Sequence, residues 1–294
     1  LITQQIASQS LKPQPGTYPE CPDRCHNNKV TFIVSLHVII YLRLLMDTIQ
    51  IEICCGSAED VIEAEKGGAD RVELNSNLFQ GGLTPTIGEL AVAKAKTSLP
   101  VMTMIRPREA GFYYSGIEYE TMRIDAERLL DAGADGLVFG FLTPDGEVDP
   151  VRTKEFVELA GHRPAVFHRA FDVVPDWRKS LDQLVDLGVT RILTSGQEPN
   201  VFFATDTIRE MIEYADGRIE ILPGAGITLK NAARIVAETG ATQIHLACHR
   251  EISEPSVRNN RQIFYGGALY PAEDRVQLID AATVQNIAAA VAKK

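Results

Sequence analysis

Four times along the chain, a helix-like stretch ends in glycine, a small residue and a polar residue, and an apolar run follows. The four are Gly68-Ala69-Asp70 before RVELN, Gly133-Ala134-Asp135 before GLVFG, Gly188-Val189-Thr190 before RILTSG, and Gly240-Ala241-Thr242 before QIHLAC. Glycine just past a helix end supplies the left-handed residue that other side chains resist. The apolar run after it reads as a strand buried on both faces, as in parallel sheets. The repeating glycines lie 52 to 65 residues apart, room for two strand-helix units each. Eight such units make a closed (β/α)8 barrel.

The intervening strands fall into the gaps at 49–55, 100–106, 164–169 and 218–223. Amphipathic segments at 58–66, 87–96, 118–131, 150–160, 177–186, 206–215 and 228–238 supply the helices, and a final helix over 276–292 would close the ring. Strict alternation implies a parallel sheet with right-handed crossovers. The competing open doubly wound sheet would want a glycine-rich dinucleotide turn after its first strand, and Cys55-Gly56-Ser57 is not one. The expected fold is therefore a TIM-like barrel in a single domain spanning residues 46–294, and its 249 residues are the usual size.

Residues 1–45 carry no glycine-anchored strand or helix. They are expected to be an extension, poorly ordered or outside the native domain, since 1–28 are polar and proline-rich. Residues 32–45 are apolar but interrupted by His37 and Arg43, too short to span a bilayer, and lack the pattern of a signal peptide. Cys21, Cys25 and His26 have ligand chemistry but form too weak a motif to carry a site.

A net charge of −10 and the lack of a basic stripe argue against nucleic acid and anionic membranes as partners. Five cysteines, two of them adjacent, do not resemble a disulfide framework and point to a reducing, cytoplasmic setting. Outer barrel helices commonly pair, so a homo-oligomer is compatible with the sequence, although no exposed stripe singles out an interface.

Barrel chemistry sits at the carboxyl ends of the strands. Alternation along the first strand separates Ile49, Ile51, Ile53 and Cys55, suited to the helix layer, from Gln50, Glu52 and Cys54, which should face the barrel interior. In the second strand Glu73 and Asn75 face inward by the same rule. Two buried carboxylates need a cation, a shared proton or an arginine nearby. Arg106 and Arg108 at the third strand's end, His168 at the fifth and His245 in the eighth offer such partners. Glu52, Glu73, Arg106, His168 and His245 then form a polar basin. The alternative is that acids and arginines merely neutralise one another in salt-bridge layers. Gly224, Gly226 and Thr228 after the seventh strand, with Ser195 after the sixth, suit close backbone approach to an anion, or simply tight turns. The loops at 81–85 and 113–115 read as ordered cover over the mouth, or as plain loop packing.

Taken in order, these residues resemble the CutC family of copper homeostasis proteins. The resemblance rests on Glu52-Ile53-Cys54-Cys55, Gly67 to Leu74, Gly81-Gly82-Leu83-Thr84-Pro85, Ile105-Arg106-Pro107-Arg108 and Phe167-His168-Arg169-Ala170-Phe171-Asp172. It continues through Arg191 to Gly196, Gly224-Ala225-Gly226, His245 and Val257-Arg258, covering most of 46–260. It implies a TIM-like barrel and a cytosolic role in copper tolerance, with a copper ion bound. Cu(I) prefers sulfur ligands. Cys54 and Cys55 point to opposite faces of a regular strand, so Cys54 would need Met104 or Cys248 as a second sulfur. The acids and histidines would suit a harder divalent metal.

Two readings follow. In one, the protein binds copper through Cys54, Cys55, Cys248 and His245 without turnover. In the other, it is an enzyme acting on a small anionic metabolite, bearing a phosphate or carboxylate, by acid/base or divalent-metal-assisted chemistry. Glu52, Glu73, Arg106 and His168 would then be catalytic, and Arg108, Ser195, Gly224 and Gly226 would hold the anion.

Overall fold

The computed structural model describes residues 48–266 and 272–292. The extension expected over residues 1–45, with Cys21, Cys25 and His26, lies outside the described residues. The strands of the barrel are β1 (Gln50–Cys55), β2 (Arg71–Leu74), β3 (Val101–Met104), β4 (Gly136–Phe139), β5 (Ala165–Phe167), β6 (Arg191–Thr194), β7 (Glu220–Pro223) and β8 (Gln243–Leu246). They form one parallel sheet in the order β7-β6-β5-β4-β3-β2-β1-β8, the expected barrel, with the last strand laddered to the first.

Helices alternate with the strands: α1 (Ala58–Lys66), α2 (Ile87–Lys96), α3 (Gly116–Asp131), α4 (Pro150–Ala160), α5 (Trp177–Leu187), α6 (Thr205–Ala215) and α7 (Ala232–Thr239). Local chemistry sets their starts. Thr86 with Glu89 and Ser115 with Glu118 form reciprocal capping boxes, and Asp149 and Asp176 cap α4 and α5. The four repeated glycines all hold positive φ: Gly68 +80°, Gly133 +100°, Gly188 +87° and Gly240 +73°. That conformation turns the chain from helix to strand without side-chain strain.

Two expected boundaries are wrong. Residues 276–292 are not one helix: β10 (Arg275–Ile279) pairs antiparallel with β9 (His249–Ser253), and only then does α8 (Ala281–Val291) begin. The seventh helix starts at Ala232, not at 228, because the Asn231 side chain accepts the Thr228 N–H at 2.6 Å in a local turn.

Side-chain parity along β1 and β2 follows the sequence reading. Ile51, Ile53, Cys55, Val72 and Leu74 are buried in the core between strands and helices. The opposite face lines the ring. Register places Cys54 beside Glu73 and Glu73 beside Met102, while Glu52 lies between Arg71 and His245. Met102, Met104, Val138 and Val166 form a separate apolar cluster. The barrel interior is thus polar on the β1, β2 and β8 side and apolar around β3 to β5. No helix among the described residues is long and apolar enough to cross a membrane.

Candidate metal and ligand site at the barrel mouth

A charged layer lies beneath the mouth. Arg71 donates its Nε–H to Glu52, its Nη1 to Gln50 Oε1 at 2.8 Å and its Nη2 to Gln243 Oε1 at 2.5 Å. Gln243 Nε2 reaches Glu220 Oε2 at 3.3 Å, and Arg191 Nε pairs with the same oxygen at 2.6 Å. For Glu52 the salt-bridge alternative therefore holds: its second oxygen meets His245 Nδ1 at 2.7 Å. Burial opposes the Glu52 charge. The His245 hydrogen bond and the charges of Arg71, His245 and Arg191 outweigh it and hold the carboxyl down at about 2.

One step nearer the mouth, Cys54 Sγ, a Glu73 oxygen and a His245 ring nitrogen all lie within 4.8 Å of one another. Cys54 Sγ–H donates to Glu73 Oε2 at 3.7 Å, and His245 Nε2 stands 3.9 Å from that oxygen. Asn75 Nδ2 donates to Glu73 Oε2 at 2.9 Å and to Cys54 Sγ at 3.6 Å. Glu73 Oε1 and Asn75 Oδ1 are buried without a partner. Burial pushes the Glu73 carboxyl and the Cys54 thiol up; His245 pulls both down, and the Glu52 charge lifts both. Burial disfavours an imidazolium at His245, yet Glu73, Cys54 and Glu52 together keep it charged well above the usual histidine range.

The cluster opens into a cavity of about 880 Å³ whose walls include Cys54, Glu73, Met104, Arg106, Phe112, His168, Arg169, Gly226 and His245. On the far wall, His168 Nδ1 accepts the Ala170 N–H at 3.1 Å, which leaves the ring proton on Nε2. That nitrogen is buried and unpartnered. Burial and the neighbouring Arg106 and Arg169 hold His168 down at about 3, so it is neutral. It makes no hydrogen bond to Glu52 or Glu73; of the two histidines the sequence offers to the acids, the one that meets them is His245. Arg169 pairs with Asp172 at 2.7 Å, and Asp172 also accepts from Thr194 and Ser195.

The remaining expected site residues divide. Gly226, with φ +75°, lines the cavity, and Gly224 packs against His245. Cys55 is buried behind the strand in the helix-facing core. Cys248 lies in that same core, its carbonyl accepting the Asp280 N–H at 2.7 Å. Neither sulfur joins Cys54, because strand parity and the turn after β8 carry them outward. Arg108 is taken up by Glu118 at 2.5 Å and by the carbonyls of Glu109, Gly111 and Tyr113. Ser195 Oγ is spent on Asp172 and Glu198.

The sequence places His249 just beyond the eighth strand without a site role and leaves Gln277 unremarked; both line the cavity from the β9–β10 hairpin. It also gave no role to Asp60, which accepts the Ile279 and Gly56 N–H groups at 2.8 Å each. Gln277 was hidden because its strand was read as part of the final helix. For Asp60, an acid in a helix's first turn looks like ordinary dipole complementarity.

Fold and site together define a TIM-type barrel with an acid–thiol–imidazole cluster at the carboxyl ends of its strands. The model described as the CutC family matches residues 49–250. The chain belongs to the CutC family. A CutC family protein of Treponema denticola is 56% identical over 233 residues, covering 79% of this chain and 95% of its own length. The copper homeostasis protein cutC homolog of Mus musculus is 40% identical over 236 residues, 80% of this chain and 87% of the relative. The crystal structure of CutC from Streptococcus agalactiae aligns with a TM-score of 0.64 at 38% identity, covering 67% of this chain and 98% of that one.

Proposed function

We propose that this protein takes part in copper homeostasis by holding a copper ion, as cargo, between Cys54 Sγ, His245 Nε2 and the Glu73 carboxylate. The supporting observation is that three donors from three different strands meet within 4.8 Å at the floor of one cavity. Glu52 suits the position behind a metal-bound histidine, since a carboxylate on Nδ1 fixes the ring and leaves Nε2 for the ion. One thiolate, one imidazole and one carboxylate form a donor set of mixed softness, and the Met104 thioether lines the same cavity. The three cysteines among the described residues are free, which suits the reducing cytosol where we place the protein.

The test is a titration of the full chain with Cu(I) against a chromophoric chelator, beside metal analysis of protein purified without added metal. Cys54→Ser is expected to lose at least about tenfold in affinity. Cys55→Ser and Cys248→Ser should bind as the parent does. Parental affinity in Cys54→Ser, with loss in either of the others, would overturn the assignment.

A further inference from the structure

Arg106 is a buried cation that pairs with no carboxylate among the described residues. The residue is 7% exposed, and its partners among the described residues are neutral: the carbonyls of Gln80 and Gly82 at 3.0 Å from Nη1 and of Ala110 at 2.9 Å from Nη2, with the Tyr114 hydroxyl also against it. Its Nε is buried without a partner. The guanidinium carbon stands 5.5 Å from the centroid of the Phe112 ring, and that ring lies 4.9 Å from the ring of His168. All three residues line the mouth cavity.

A desolvated guanidinium is costly unless an anion neutralises it. Beside it, His168 offers a second buried donor, Nε2–H, with nothing to receive it. Two unpartnered donors packed against one phenyl ring, one of them positively charged, call for an oxygen acceptor carrying negative charge. About 880 Å³ is far more room than a metal ion needs, and the cavity's apolar lining includes Leu78, Phe112 and Val173.

We propose that the wall formed by Arg106, His168 and Phe112 binds the terminal oxyanion of a small organic molecule, a carboxylate or a phosphate, with its apolar body in the cavity. These donors are not those of the Cys54–Glu73–His245 cluster, though both sets line one cavity, and the proposal does not depend on the metal reading.

Isothermal titration of the full chain tests this with phenylacetate, phenyl phosphate and the neutral phenylacetamide, each with and without a metal chelator. At least one anion should bind, and at least about tenfold more tightly than the amide, because a charged hydrogen bond at a buried site is lost with the amide. The stronger of the two anions identifies the headgroup. Arg106→Gln should abolish binding. His168→Phe keeps the ring and should weaken binding about five- to tenfold, which guards against misfolding in the arginine variant. Binding should persist in chelator and in Cys54→Ser. Equal affinity for anion and amide, absence of binding by either anion, or loss of binding in chelator would overturn the proposal.

Discussion

His245 is the residue through which the site's parts communicate, and its position is set by a missing atom next door. A Cβ on Gly224 would sit 3.1 Å from His245 Cβ and 2.8 Å from Leu193 Cδ1. Gly224→Ala should push the imidazole off its line between Glu52 and Glu73, costing about 1–3 kcal/mol by overpacking. Copper affinity should fall at least about tenfold with unchanged circular dichroism, since ligand orientation is lost while the fold remains. His168 makes a different prediction. Its neutral form is favoured on folding, with a folded value of about 3 against 6.5. An unfolded chain therefore binds the extra proton between those limits, so this contribution is complete above pH 6.5 and fades as pH falls toward 3. Unfolding free energies of the parent from urea titrations should drop by up to about 1.4 kcal/mol per pH unit more steeply in that window than those of His168→Phe. Alternation within β1 and β2 was enough to place Glu52, Glu73 and Cys54 inside the ring. Which imidazole meets the acids was not legible, because Glu52 and His245 are 193 residues apart and meet only through barrel closure.

At the scale of elements, the departure from the sequence reading is the β9–β10 hairpin, and Asp60 explains how it is held. One carboxylate oxygen takes the Ile279 N–H at the end of β10 and the other takes the Gly56 N–H just after β1. The start of α1, the exit of β1 and the mouth-covering hairpin thus share one buried side chain. Asp60→Ala leaves two backbone donors without their acceptor, at a cost of about 2 kcal/mol or more. Hydrogen exchange should then quicken at residues 277–280 before it quickens in β3 to β5. Unchanged protection there would show that the hairpin is held by its own ladder alone. Alternating strands and helices were readable from glycine spacing and apolar periodicity because each unit packs locally. The segment 275–279 was not, since Arg275-Val276-Gln277-Leu278 alternates polar and apolar residues too briefly to separate strand from a first helical turn.

For the whole molecule, the ring has one join that no strand ladder spans. Pairing runs unbroken from β7 through β1 to β8, and between β7 and β8 the described structure offers the Gln243 side chain, whose Nε2 reaches the Ile221 carbonyl at 3.4 Å. The same amide links Arg71 on β2 to Glu220 on β7, so the charged layer under the site is also the fastener of the barrel. Gly224 and His245 then close-pack across this join, directly beneath the mouth. Stability and ligand geometry are therefore coupled at one place. Gln243→Leu keeps the volume but removes an acceptor from a buried guanidinium and donors from Glu220 and Ile221. The expected loss is about 2–4 kcal/mol in chemical denaturation, the range for stripping partners from buried charged groups. Amide exchange should rise in β7 and β8 while β4, on the far side of the ring, stays protected. Copper affinity should fall with it, because the cluster's imidazole stands on the strand that has been released. A variant that loses stability evenly around the ring, with affinity intact, would mean that the join is closed by packing and that Gln243 serves only the charges.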